Sequence, residues 1–141
     1  MSTPTPSEIA SAHATLQAAG LAVRRAVVGD AHVDRSLASA TGFSQPIQDL
    51  VAEACWGAVW TRPGLERKTR SLLNIAMLCA LNRSPELALH VRGAIVNGAT
   101  MEEVREVMLQ VAVYCGMPAG LEGTKVAERV LGEMKESGEL E

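Results

Sequence analysis

Between Leu72 and Cys79 the chain offers apolar side chains in almost every direction: Leu72, Leu73, Ile75, Ala76, Met77, Leu78 and Cys79, interrupted only by Asn74. Read as a helix, this stretch is apolar nearly all round, and such a helix must be covered on every side. The run from Ser71 to Leu81 ends at Asn82-Arg83, short of the ~18–20 residues that cross a bilayer. The cover must therefore be protein. A chain of 141 residues has the size of one domain, so a second copy of the chain is the natural source of the missing surface. The segment predicts a soluble helical domain that assembles as a homo-oligomer.

The remaining sequence divides into helix-length pieces in the same way. Ser7-Glu8 opens a pattern carrying Ile9, Leu16, Leu21, Val23 and Val27, weakened in the middle by Gly20. Gly29-Asp30 reads as a stop and a new N-cap for a short helix through His32 and Arg35. Thr41-Gly42-Phe43-Ser44 is a turn, with Ser44 capping a helix that carries Ile47, Leu50, Val51, Ala54, Cys55 and Ala58. Trp60-Thr61-Arg62-Pro63-Gly64 breaks it, and the next helix runs from about Leu65 to Leu81. Ser84-Pro85 opens another, Ser84 as cap and Pro85 at the first helical position, stopping near Asn97-Gly98. Thr100 with Glu103 three residues on has the form of a capping box. That helix continues to Gly116, and Pro118 restarts the chain into a last helix ending near Ser137. No strand pair and no repeat is visible. The expectation is an all-α fold of six to seven helices in one bundle-like domain over 7–137, preceded by a flexible lead at 1–6 and followed by a short acidic tail at 138–141. Aromatic residues make up only 3% of the chain, so the core has to be aliphatic.

Several functions are excluded at this level. The net charge is −3 and no run of lysine or arginine stands out, so nucleic-acid binding has no support. An anionic small molecule would have to be held by a local group of arginines. Cys55, Cys79 and Cys115 are far apart and set among apolar residues; they are expected to be buried reduced thiols of a cytoplasmic protein. The N-terminus lacks the basic-then-apolar pattern of a signal peptide. Neither a phosphate-binding glycine loop, a zinc-type cluster nor a G-x-S-x-G elbow occurs, so no metal and no nucleotide cofactor is expected.

Three groups of residues remain that could carry chemistry. Glu86 and His90 are four apart on one helix and share a face; a carboxylate beside an imidazole can orient it and tune it for proton transfer. Asn97 lies on nearly the same stripe. A surface ion pair is the competing reading. His32 and Arg35 are three apart on a short helix with Asp34 between them, and an arginine fork can grip a carboxylate; a solvated connector is the alternative. Trp56 and Trp60 share a face, near Arg62 and the i,i+4 pair Glu66 and Arg70. They form either an aromatic wall beside a cationic site, or core tryptophans with a surface salt bridge. Arg92 points away from His90, and His13 stands by itself in a polar stretch.

Taken together, these residues resemble the carboxymuconolactone decarboxylase family. The resemblance lies in Val23-Arg24-Arg25-Ala26-Val27-Val28-Gly29-Asp30-Ala31-His32-Val33-Asp34-Arg35-Ser36, in Trp56-Gly57-Ala58-Val59-Trp60-Thr61-Arg62-Pro63-Gly64-Leu65, and in Arg70-Ser71-Leu72. It continues through Ala80-Leu81-Asn82-Arg83, Glu86-Leu87, His90-Val91-Arg92-Gly93-Ala94, Asn97-Gly98-Ala99-Thr100 and Tyr114-Cys115-Gly116-Met117-Pro118-Ala119. It covers most of the chain from Val23 to Leu131. Peroxidase members of the wider alkyl hydroperoxidase-like superfamily carry a Cys-x-x-Cys four residues before a histidine. If His90 is that histidine, Arg83 and Glu86 stand at the cysteine positions, so dithiol peroxide reduction is excluded by that route.

The resemblance implies an alkyl hydroperoxidase-like helical subunit in a ring-like homo-oligomer, a trimer or hexamer. It implies a dicarboxylate lactone as substrate: a five-membered unsaturated lactone with a carboxylate and an acetate arm on one ring carbon, an intermediate of protocatechuate breakdown by the beta-ketoadipate route. Loss of CO2 would push electrons through the ring double bond onto the lactone carbonyl, so the substrate supplies its own electron sink. His90 with Glu86, or else His32, would protonate the ring carbon beside the carbonyl. Arg35 or Arg70 would clamp the acetate arm, with Trp56, Trp60 and Glu66 lining the site. A related decarboxylase or isomerase acting on another carboxylated ring, or a helical oligomer that binds a small anion without turnover, are the alternatives.

Overall fold

A computed structural model describes residues 3–141; the first two residues of the expected lead lie outside them. Seven α-helices and one π-helical segment account for the described residues, with no strand among them. Where the sequence suggests one domain over 7–137, the chain gathers into two compact units, one ending at Gly64 and the other spanning Leu65–Glu141. The division falls at the Trp60–Gly64 breaker.

In the first unit, α1 (Pro6–Val28) begins inside the expected lead because Thr5 caps it. The Thr5 N–H donates to Glu8 Oε2 at 2.7 Å, and the Glu8 N–H donates to the Thr5 hydroxyl at 3.3 Å. This is a complete capping box, so Pro6 is already helical. Gly29 both ends α1 and precedes α2 (Asp30–Ala38), with φ at 86°. That backbone conformation suits a residue without Cβ, and it puts Gly29 rather than Asp30 at the N-cap. Ser44 does not cap α3 (Gln45–Leu50) with its side chain; its hydroxyl accepts the Thr41 N–H at 2.9 Å and closes the preceding turn instead.

From Val51 to Gly57 the helix after α3 widens to a π-helix. The Glu53 carbonyl accepts from Ala58 N–H at 2.7 Å and the Cys55 carbonyl from Trp60 N–H at 3.1 Å, both five residues on. This segment and α1 touch backbone to backbone. A Cβ on Gly20 would collide with the Ala52 carbonyl oxygen and sit 2.7 Å from the Gly57 nitrogen; one on Gly57 would collide with the Leu16 carbonyl oxygen. Gly20 is thus the closest point of the crossing, rather than only a weak spot in α1. Val23, Val27, Val28, Val33, Ala52, Trp56 and Trp60 are the unit's buried hydrophobic residues.

The second unit contains α4 (Arg67–Ala80), α5 (Ser84–Val96), α6 (Met101–Cys115) and α7 (Met117–Glu136). Arg83, not Ser84, holds the N-cap of α5, and Ser84-Pro85 form its first turn. Thr100 and Glu103 make the expected capping box of α6, and Gly116, at φ 106°, separates α6 from α7. Ile75, Leu87, Val91, Val104, Met108, Val130 and Met134 form the centre of an aliphatic core. The short acidic tail is tied to the helices. Arg92 Nη1 donates to both Glu139 carboxylate oxygens at 2.6 and 2.7 Å, and Leu140 packs against the core.

The stretch that is apolar all round is α4. Ser71, Ile75 and Cys79 point inward, while Leu73, Met77 and Leu81, spaced four apart, are 48%, 53% and 66% exposed. Of the three cysteines only Cys79 is buried; Cys55 and Cys115 are exposed, contrary to expectation, because they lie on helix faces that the single chain leaves uncovered. No helix among the described residues is long and apolar enough to cross a membrane.

Candidate active site

The residues singled out from the sequence fall into a group in each unit. In the first unit the central side chain is one the sequence reading passed over, Arg24. It is 7% exposed. Its Nη1 donates to Gln48 Oε1 at 3.2 Å and its Nη2 to the Ser36 hydroxyl at 3.0 Å, while Ser36 itself donates to Gln48 Oε1 at 3.1 Å. Both partners are neutral. Burial holds the Arg24 guanidinium below its ordinary pKa. The neighbouring Arg25 faces the other way and holds two carboxylates, Asp30 at 3.0 Å and Asp34 at 2.7 Å. The acids of the Gly29–Ser36 stretch are therefore taken up by Arg25.

His32, half-buried on α2, lies within the fields of Arg24 and Arg35. Burial first, then the charges of Arg24 and Arg35, push its pKa below the ordinary value, so it is neutral at pH 7. Arg35 is exposed on the same helix. Cys55, exposed as a residue, borders this group with its thiol turned toward protein: partial desolvation there raises the thiol pKa, and the Arg24 charge and a hydrogen bond with Trp60 partly offset that. Trp56 and Trp60 are both buried, their ring centroids 4.8 Å apart and tilted by 35°. They are packed as core residues, with Trp60 touching the cationic group through Cys55. His13 is exposed as expected but not solitary; its Nδ1 lies 2.6 Å from Glu53 Oε1 on the π-helix.

In the second unit a polar seam runs between α4 and α5. The Asn74 amide lies 3.5 Å from His90 Nδ1, and Asn97 Nδ2 donates to the fully buried Ser71 hydroxyl at 2.9 Å. Asn97 does share the stripe of His90. Glu86 is exposed in the first turn of α5, and within this seam the imidazole of His90 meets the Asn74 amide of α4. Glu66 precedes α4 at its N-cap, exposed and without a side-chain cap bond. Arg70 is half-buried one turn into α4, next to Ser71. Arg92, paired with Glu139 and 3.8 Å from Glu133, is structural. Among the described residues no three histidine, cysteine or acidic side chains are grouped closely enough to hold a metal ion.

Residues 45–129, more than half of the chain, match the model of the carboxymuconolactone decarboxylase family. This chain belongs to the carboxymuconolactone decarboxylase family. It is 44% identical to the nitrosuccinic acid decarboxylase of Metarhizium robertsii, over 90% of this chain and 89% of the relative. It is also 44% identical to the 4-carboxymuconolactone decarboxylase of Acinetobacter baylyi, over 82% and 86% of the two chains. A 15.0 kDa protein of Paracoccus denitrificans with no stated activity is 34% identical over 60% of this chain. The carboxymuconolactone decarboxylase match takes in Trp56, Trp60, Glu66, Arg70, Glu86 and His90, and begins after the cluster of Arg24, His32 and Arg35.

Proposed function

We propose that the protein decarboxylates 4-carboxymuconolactone to the enol-lactone of 3-oxoadipate, releasing CO2, as a step in protocatechuate breakdown. Family membership carries the reaction class, and the 44% identity to a named 4-carboxymuconolactone decarboxylase across 82% of the chain carries the substrate. The chemistry of the lactone is consistent with this residue set. Its departing carboxylate is conjugated through a ring double bond to the ester carbonyl, so the electrons left by CO2 are absorbed within the ligand. The protein has three tasks: hold the acetate arm, stabilise the developing oxyanion, and deliver a proton to the ring carbon beside the carbonyl.

His90 is assigned the proton delivery. With Nδ1 accepting from the Asn74 amide, a neutral His90 ring carries its proton on Nε2, where it can be given away. Neutral His32 is the second choice, and Arg35 or Arg70 the clamp for the acetate arm. An arginine on the departing carboxylate would stabilise the ground state and slow the reaction, so the clamp belongs on the retained carboxylate. The exposed stripe Leu73, Met77 and Leu81 favours a ring-like homo-oligomer. The three free thiols suit the cytoplasm.

A second reading is favoured by the equal identity to the nitrosuccinic acid decarboxylase. There a nitro group could take the electrons that the lactone carbonyl takes here. The deciding experiment is an ultraviolet assay on enzymatically generated 4-carboxymuconolactone, run beside nitrosuccinate, with CO2 measured in both. Turnover of the lactone well above that of nitrosuccinate supports the first reading; the reverse ranking replaces it with the second, and no CO2 from either removes both.

A further inference from the structure

We propose that Arg24, with Ser36 and Gln48, is the anchor for the retained carboxylate of a succinate-type substrate. The starting observation is a charge without an answer. Arg24 is more than nine-tenths buried, yet its two hydrogen-bond partners, Gln48 and Ser36, are neutral. A guanidinium has five N–H donors, and these two bonds use two of them. No carboxylate among the described residues pairs with Arg24 or with Arg35 beside it. Burying an unanswered charge is costly, and proteins tolerate it where a ligand supplies the counter-charge.

The local sequence could have answered that charge and does not. Asp30 and Asp34 lie on the adjacent helix, but both are held by Arg25 at 3.0 and 2.7 Å. The arrangement keeps acids off one side of α1 and leaves Arg24, Arg35 and a neutral His32 together on the other. Ser36 and Gln48, hydrogen-bonded to each other, fix the Nη1 and Nη2 atoms, which holds the remaining donors of the fork in place for a carboxylate.

The ligand class follows from the two named substrates. Nitrosuccinate is a substituted succinate. In 4-carboxymuconolactone one ring carbon bears both a carboxylate and a –CH2–carboxylate arm, which is again a succinate skeleton. In each, one carboxylate sits on the carbon attached to the electron sink and leaves; the other, one methylene away, stays. A buried arginine serves the second, because gripping the first would oppose its departure. The inference rests on the dicarboxylate character of the substrate, and it moves the principal clamp from Arg35 or Arg70 to Arg24.

The test measures succinate binding by calorimetry to the wild-type protein and to Arg24→Met, Arg24→Lys, Arg35→Met and, as control, Arg129→Met. Loss of a buried charge-assisted pair corresponds to about 100-fold in affinity. Arg24→Met should show that loss, Arg24→Lys about tenfold because an ammonium cannot fork, and Arg35→Met a smaller one. Arg129→Met should bind within about twofold of wild type, since its loss affects only an exposed pair with Glu133. If Arg24→Met does not fold, Arg24→Lys decides: wild-type succinate affinity in that folded variant assigns Arg24 a structural role and overturns the proposal. So does absence of succinate binding to the wild type at millimolar concentration. Binding that depends on Arg24, without turnover of lactone or nitrosuccinate, would refute the proposed function and leave the anchor standing.

Discussion

Replacing Gly20 by alanine should destabilise the protein, although alanine is the better helix former. The new Cβ would collide with the Ala52 carbonyl oxygen and lie 2.7 Å from the Gly57 nitrogen and 2.9 Å from the Ala52 carbonyl carbon. Ordinary contacts begin at 3.4 Å, so clearing the Gly57 nitrogen alone takes about 0.7 Å, and clearing the nearer Ala52 carbonyl oxygen takes more. All the obstructing atoms are backbone and none can rotate away. Overpacking of this kind costs ~1–3 kcal/mol, and a gap of this size forfeits up to about half of each dispersion contact along the crossing. The upper end of that range is therefore appropriate. Alanine returns about 1 kcal/mol of helix propensity. The net is a loss of about 2 kcal/mol, or a melting temperature lower by about 4–8 °C for a chain of this size.

Gly132 supplies the control. It lies inside α7 and an added Cβ meets nothing within 4 Å, so Gly132→Ala should gain ~0.5–1 kcal/mol. Both variants are to be followed by circular dichroism through urea titration at one fixed protein concentration, because assembly would shift apparent stability. Equal or greater stability of Gly20→Ala relative to wild type would refute the claim that the two backbones are in contact.

Three further outcomes are expected. His90→Ala should lower kcat by about 10²–10⁴ with the helical spectrum unchanged; near-native turnover would remove His90 from proton delivery. Because folding depresses the His32 pKa below 6.5, the unfolded chain binds more protons there, so stability from neutral His32 is present above pH 6.5 and lost as pH falls through the lower folded value. Melting curves between pH 7.5 and 5 should thus fall less steeply for His32→Gln than for wild type; parallel curves would contradict the assigned shift. Lactone turnover should be unchanged by prolonged incubation with a chelator followed by desalting, since the carbonyl of the substrate takes the electrons; loss restored by one added metal would overturn that account.

Much of the helical plan is written in local signals. Thr100 with Glu103, and Gly116 before Met117-Pro118, mark boundaries found where they were expected. Thr5 with Glu8 carries the same Thr-x-x-Glu signature as Thr100 with Glu103 but falls within the expected flexible lead; Pro6 is compatible with a first helical turn. The π-helical widening at Val51–Gly57 has no such signature; it lies where the backbone of α1 comes closest to the segment. The site was legible as a set of residue types but not as partnerships. Spacing placed Glu86 and His90 on one face, yet the imidazole meets Asn74 from another helix. Arg24 and Arg25 read as two adjacent cations; only the packing distinguishes the buried one with neutral partners from the exposed one holding two aspartates.

The widened turn also bears on how this chain tolerates length changes. A π-helical segment is a helix carrying surplus residues between its ends, and an α-helix advances about 100° per residue. Deleting one residue between Val51 and Gly57 would let the segment relax to ordinary winding with the following turn facing almost the same way, because the wider turn advances less per residue and takes up the extra one. A one-residue deletion is therefore expected to be tolerated better at this point than inside α1, where it would rotate the buried side of the helix by about 100°.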